Sequence, residues 1–274
     1  VRLVILLAMA CARGGAPDSA ADAAGYAVRW STQPSPVLAG APSTFTLQVL
    51  DGAGDPVQDL TRTHARMVHT VFLAPDLRGF LHLHQEDTVP VDADDLRAAR
   101  FSFPVTFPAA GPWRLAFDFA HRGAYRQVLD TIAVQGDPVA SVPDDAPTAR
   151  AEADGVVGEL VFAQPPVAGV PASWTVWLAE STGAEVRDVV PWLDADAHAV
   201  MTPADLESVS HTHAWFPGME GMAPGHPMPH LYDGPDIPFQ SVFPSAGRWV
   251  VWTQVARADA PEVPVTLRFV VEVA

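Results

Sequence analysis

His69-Thr70-Val71-Phe72-Leu73-Ala74-Pro75-Asp76-Leu77-Arg78-Gly79-Phe80-Leu81-His82-Leu83-His84 decides how this chain is read. His69–Leu73 and Phe80–His84 have strand character, and Ala74–Gly79 carries the Pro, Asp and Gly of a connection. If Leu73 pairs with Phe80, paired positions sum to 153, so His69 faces His84 and His82 faces Val71. Alternate residues of a strand share a face, and directly paired residues share it too, with Cβ atoms about 4.5–5.5 Å apart. His69, His82 and His84 then converge. The expectation depends on register, because a slip of one residue would turn His69 to the other face.

The hairpin occurs twice. His198, Asp205-Leu206, His211 and His213 follow His69, Asp76-Leu77, His82 and His84 at a constant offset: 198−69, 205−76, 211−82 and 213−84 are all 129. Ala39-Gly40-Ala41-Pro42 matches Ala168-Gly169-Val170-Pro171 at the same offset, and Gly54, Val57 and Asp59 match Gly183, Val186 and Asp188. Further on the offset is 136: Phe107-Pro108-Ala109-Ala110-Gly111-Pro112-Trp113 aligns with Phe243-Pro244-Ser245-Ala246-Gly247-Arg248-Trp249, so the second copy has gained 136−129 = 7 residues. A period above 100 residues means whole domains in tandem.

Both copies read as β. Thr44–Leu50, Arg114–Phe119 and Val265–Val271 alternate polar and apolar, Asp51–Pro56 is a turn cluster, and no long segment has helical periodicity with caps. About 110 residues per copy, cut into short strands, predict an all-β protein of two tandem immunoglobulin-like β-sandwich domains. The expected layout is a signal peptide or lipoprotein anchor with tether over 1–24, a first sandwich over 25–136, a linker over 137–154 and a second sandwich over 155–274.

Composition narrows the function. The 274 residues are 49% hydrophobic and carry a net charge of −16, and all 16 basic residues are Arg. Without a basic patch the chain is a poor nucleic-acid binder, and the charge suits cation attraction or solubility. Arg2 followed by Leu3–Ala10 has the form of an export signal, and the apolar run is too short to span a bilayer. Ala10-Cys11 has the form of a lipoprotein cleavage site, so membrane contact is expected only through a lipid on Cys11, on the periplasmic side of a bacterial cell envelope, with secretion as the alternative. Cys11 is the single Cys, so no intrachain disulfide can form.

Neutral imidazole is the commonest side-chain metal ligand, and a duplicated three-histidine pattern predicts metal binding. His64 and Met67 are further candidate ligands in the first copy. Leu193 and Asp196 replace them in the second, where the longer segment brings Met219, Met222, His226, Met228 and His230. Thioether sulfur favours Cu(I) and imidazole serves Cu, Zn and Ni, so copper is the expected ion and zinc the alternative. Other features are expected to be structural: Asp76-Leu77 and Asp205-Leu206 as turn formers, Trp113 and Trp249 as core, His121 as surface. Met219, Met222 and Met228 could equally fill a packing gap, and the histidines could instead support their hairpins by bonding turn backbone.

Asp59-Leu60, His64, Met67, His69, Asp76-Leu77, Phe80 and His82-Leu83-His84, followed by Phe107-Pro108, Gly111 and Trp113, resemble the exported bacterial heavy-metal-binding, YtkA-like domains. These have an immunoglobulin-like sandwich akin to CopC and FixH-type domains. The resemblance covers most of the first copy and less of the second. It implies an envelope protein that handles metal, copper above all. CopC-type sites also use an N-terminal amine, which neither Val1 nor Cys11 would supply here.

The resulting expectation is an envelope metal-binding lipoprotein for storage, delivery or resistance, with the metal ion and another envelope metal-handling protein as partners. A structural or interaction module without metal is the alternative. Three His with an open position also resemble a catalytic zinc shell. The motif holds no general base, however, and no nucleophile or phosphate-binding signature accompanies it, so no catalytic residue and no enzyme activity are expected.

Overall fold

The computed structural model describes residues 18–137, 146–217, 219 and 229–274. The first half holds β1 (Asp18–Ala21), β2 (Ala27–Gln33), β3 (Pro42–Leu50), β4 (Leu60–Thr61), β5 (Val68–Leu73), β6 (Phe80–Leu83), β7 (Arg100–Thr106), β8 (Gly111–His121) and β9 (Ala124–Val134). The second repeats the series as β10 (Arg150–Ala153), β11 (Val156–Phe162), β12 (Pro171–Glu180), β13 (Val189–Val190), β14 (His198–Pro203), β15 (Ser210–His213), β16 (Asp236–Val242), β17 (Gly247–Arg257) and β18 (Ala260–Val273). In each half an antiparallel four-stranded sheet, β1-β2-β3-β7 or β10-β11-β12-β16, faces a five-stranded one. The latter has β8 or β17 at its centre, with β4, β5 and β9 or β13, β14 and β18 beside it and β6 or β15 at the edge. The chain folds as two immunoglobulin-like β-sandwiches in tandem.

Each sandwich closes over its own apolar core. Phe45, Phe72, Phe103 and Phe117 cluster in the first; Trp174, Phe239 and Phe243 cluster in the second. The matched Phe-Pro…Trp motifs have one role in both. Trp113 and Trp249 are fully buried, and their indole N–H groups donate to the Ala109 and Ser245 carbonyls, each at 2.9 Å.

Two stretches expected to be tether and linker contain strands. Asp18–Ala21 pairs with β2, and Arg150–Ala153 pairs with β11. These Ala- and charge-rich pieces have little apolar surface of their own, and backbone hydrogen bonds to an existing sheet edge hold them. A short α-helix, α1 (Ala93–Ala98), also departs from the all-strand expectation; Asp92 caps it by accepting from the Asp94 and Asp95 amides.

The five-stranded sheets are buried on both faces. All six residues of β5 and all six of β14 are buried. Val68 and Phe72 point into the first core, whereas Val71 and Leu73 belong to a third apolar cluster with Ala116, Val200, Val250, Trp252 and Val270. That cluster joins the outer faces of the two five-stranded sheets, and Phe80 stacks on Trp252 across it at 5.2 Å. The sandwiches therefore pack sheet against sheet, along the same strand faces that carry the histidines.

Candidate metal centre

The first hairpin has the predicted register. Val71 pairs with His82 and Leu73 with Phe80, and in the second hairpin His198 pairs with His213. Leu77 and Leu206 take positive φ, 56° and 60°. Asp76 Oδ1 accepts from the Arg78 amide, and Asp205 Oδ1 accepts from the Glu207 amide. The Asp-Leu pair thus builds the turn in both copies, by the local side-chain bond that favours Asp in turns.

Three nitrogens of the first trio meet. His69 Nδ1 lies 3.2 Å from His82 Nε2 and 3.0 Å from His84 Nε2, and His82 Nε2 lies 3.2 Å from His84 Nε2. The opposite nitrogen of every ring faces an acceptor. His84 Nδ1 is 2.8 Å from the Asp87 carboxylate, and His69 Nε2 is 3.1 Å from the Thr63 carbonyl. His82 Nδ1 is 3.0 Å from Gln254 Oε1, whose amide nitrogen donates to Thr266 Oγ1. Acceptors take the ring protons on the outer side, so each neutral ring turns a lone pair inward. Three lone pairs then converge with no hydrogen between them, an arrangement that repels itself unless a cation occupies it. A first-row ion bound to three imidazoles at about 2.0–2.1 Å with tetrahedral angles holds its nitrogens about 3.3–3.4 Å apart, close to the spacing here.

The second trio is looser. His198 Nδ1 lies 3.3 Å from His211 Nε2, and His198 Nε2 is 2.8 Å from the carbonyl of Trp192, the position matched to Thr63. His213 Nε2 is buried without a hydrogen-bond partner. The ligand atoms of His198, His211 and His213 all lie within 4.8 Å of one another.

The two trios form one cluster. The His82 and His211 rings are 5.0 Å apart, those of His69 and His211 5.2 Å, and His69, His82 and His211 form a second group of ligand atoms within 4.8 Å. His64 belongs to this cluster, but on the side opposite to expectation: its ring stacks on His213 of the second sandwich at 3.5 Å and lies 6.2 Å from His69. Positive φ at His64 and Ala65, as at the matched Leu193 and Asp194, makes the bend that carries it across.

Burial sets the protonation state. Desolvation pushes His69, His82, His198 and His213 well below the ordinary imidazole range, with neighbouring histidines adding to the effect. It also lowers His84, against the opposing pull of Asp87, and brings His64 down to about 4. Neutral imidazole is the ligand form, so these side chains need lose no proton to accept a metal near pH 7.

Several expected ligands lie elsewhere. Met67 packs in the first core, and Met219 packs in the second, where its sulfur accepts from the Phe216 amide. Both are apolar side chains drawn into apolar interiors, the gap-filling role open to Met. His230 binds Asp196 at 2.5 Å, and the other oxygen of that carboxylate takes the Leu231 and Tyr232 amides, which anchors residues 230–232. Met222, His226, Met228 and Cys11 lie outside the described residues. His121 is not on the surface: it is buried between Tyr26 and Asp59, 2.7 Å from the carboxylate. The matched Arg257 sits 2.6 Å from the matched Asp188, so the repeat preserves a nitrogen–carboxylate contact that swaps His for Arg.

Sequence reasoning missed the groups that face the outer ring nitrogens: Asp87, the carbonyls of Thr63 and Trp192, Gln254, and Asp118, whose carboxylate lies 3.6 Å from His211 Nδ1. The last two had a signal. Asp118 between Phe117 and Phe119, and Gln254 between Thr253 and Val255, are polar side chains inside strands, at positions 136 apart.

The family described as "Domain of unknown function (DUF8832)" matches residues 20–136 and 151–274. No curated protein matches the sequence. Among solved structures, the adhesin FdeC of Escherichia coli aligns at 15% identity over 90% of this chain and 64% of its own, with a TM-score of 0.26. Invasin, a bacterial integrin-binding protein, aligns at 12% identity over 90% and 39%, with a TM-score of 0.24. The α2-macroglobulin of E. coli aligns at 11% identity over 93% and 14%, with a TM-score of 0.25. The chain spans less than two thirds of the length of each of these three.

Proposed function

We propose, for a chain that belongs to the family of domains of unknown function DUF8832, that it is a metal-binding protein whose ion is held by the histidine cluster between its two sandwiches. One observation carries this reading: three imidazole nitrogens converge at 3.0–3.2 Å while the opposite nitrogen of each ring faces an acceptor. Copper is the proposed ion and zinc the alternative. Copper(II) stands at the top of the affinity order for a given nitrogen site, and the donors among the described residues are imidazoles alone. The heavy-metal-binding, YtkA-like resemblance points the same way. Burial of the cluster favours holding an ion over turning over a substrate, so storage, delivery or resistance is proposed and catalysis is not. The leader-like start and Cys11 favour a lipid-anchored place in a bacterial envelope, with a metal-handling protein of that compartment as partner.

The test is titration of the protein, with β1 retained, with Cu(I), Cu(II) and Zn(II) in parallel. Tight binding is expected, and replacing His82 and His84 together by Ala should remove the first site. A second reading, a metal-free structural or interaction module of the envelope, is favoured by the apolar cluster at the interface and by the His82–Gln254 bond across it. Under that reading the double variant separates or unfolds the sandwiches with no metal present, and the wild type binds no better than a protein with scattered surface histidines.

A further inference from the structure

The outer-side partners of the two central histidines cross the interface. His82 of the first sandwich points Nδ1 at Gln254 of the second, at 3.0 Å. His211 of the second points Nδ1 at Asp118 of the first, at 3.6 Å. Gln254 and Asp118 occupy matched places: Asp118 pairs with His69 on β5, and Gln254 pairs with His198 on β14. The arrangement is reciprocal and unequal. Gln254 is anchored by Thr266 and offers a neutral oxygen. Asp118 is held on one oxygen by Gln127 at 2.7 Å, and its other oxygen is buried with no hydrogen-bond partner. The first trio has an acceptor within 3.1 Å behind every ring, whereas among the described residues His198 alone of the second trio has one that close.

We propose that Gln254 and Asp118 are cross-domain positioning residues. Each sandwich aims the central metal ligand of the other, so the two sites are inequivalent and the first ion enters the His69, His82 and His84 trio, which the second sandwich completes. This rests on the metal reading above. A group that fixes the tautomer and orientation of a ligating His sets much of the site's affinity, typically by about 10- to 100-fold.

The experiment is Cu(II) titration of the full chain against a competing chelator, for wild type, Gln254→Met and Gln254→Glu. Met keeps the length of Gln and removes the acceptor; Glu keeps the acceptor. Gln254→Met should weaken the first equivalent by roughly 10- to 100-fold and leave the second in place, and Gln254→Glu should restore it. A purely structural role would not distinguish Glu from Met in this order. Asp118→Asn gives an independent reading: it should weaken the second equivalent only. Wild-type affinity in Gln254→Met, or equal loss of both equivalents in either variant, overturns the cross-domain arrangement and leaves the metal reading standing. Wild-type protein that binds no Cu(II) overturns both.

Discussion

At the residue scale, the cluster shows how one side chain takes different roles in different surroundings. Seven histidines, His64 included, share one interface, while His121 serves as the buried partner of Asp59. The cluster has a consequence for acid stability. His69, His82, His84, His198, His213 and His64 are depressed in the folded state, with burial the first cause in each. The unfolded chain, with imidazoles near 6.5, then binds more protons at mildly acid pH. Their neutral burial costs nothing above that value. Below it, stability falls, through a window that for His64 runs down to about 4. Urea unfolding of metal-free protein at pH 7.5 and pH 5 checks this; the midpoint should be lower at pH 5, and an unchanged midpoint would mean the rings are solvated.

At the element scale, the hairpins β5–β6 and β14–β15 place the ligands, and their turns must hold register. In the first turn Gly79 lies against the core: a Cβ there would meet the Trp113 ring at 2.6 Å and the Ala74 Cβ at 2.7 Å. Neither neighbour is the free end of a flexible chain, since Trp113 is fully buried and tied to the Ala109 carbonyl. Gly79→Ala should cost about 1–3 kcal/mol, the range for overpacking a core, and should show as a lower denaturant midpoint with an unchanged slope. The hairpin was legible in the sequence because a period of two, a turn signal and a second copy all agreed on one register.

At the scale of the molecule, the centre belongs to neither sandwich alone. Trp252 stacks on Phe80 and packs with Val71, Val200 and Val250 between the sheets. Trp252→Ala should cost about 3–5 kcal/mol and loosen the pair, which small-angle scattering would register as a larger radius of gyration. Bound metal acts in the opposite direction on the same interface. An ion at 100 times its dissociation constant adds about 2.7 kcal/mol to the folded state, and calorimetry should find both sandwiches melting later, in one transition. Two transitions, with only one moved by metal, would mean that the sites sit within single sandwiches.

The sequence by itself determined the β class, the hairpin strands that carry the histidines, the repeat, the convergence of each histidine trio and the buried place of Trp113 and Trp249. These follow from local rules: alternation, turn chemistry and pairing between neighbouring strands, all readable within a few dozen residues. Only the tertiary structure decided that the trios share one centre, that His64 reaches over to His213, that Met67 and Met219 go to the cores, and that Gln254 and Asp118 serve the opposite sandwich. A hint existed in Trp249-Val250-Val251-Trp252, whose unbroken apolar run marks a strand buried on both faces. The run cannot say what covers the second face, because packing between sheets depends on shape and side-chain contact across more than 100 residues of chain. The partner of His82 is 172 positions away in the sequence; no periodicity links the two, and only folding brings them to 3.0 Å.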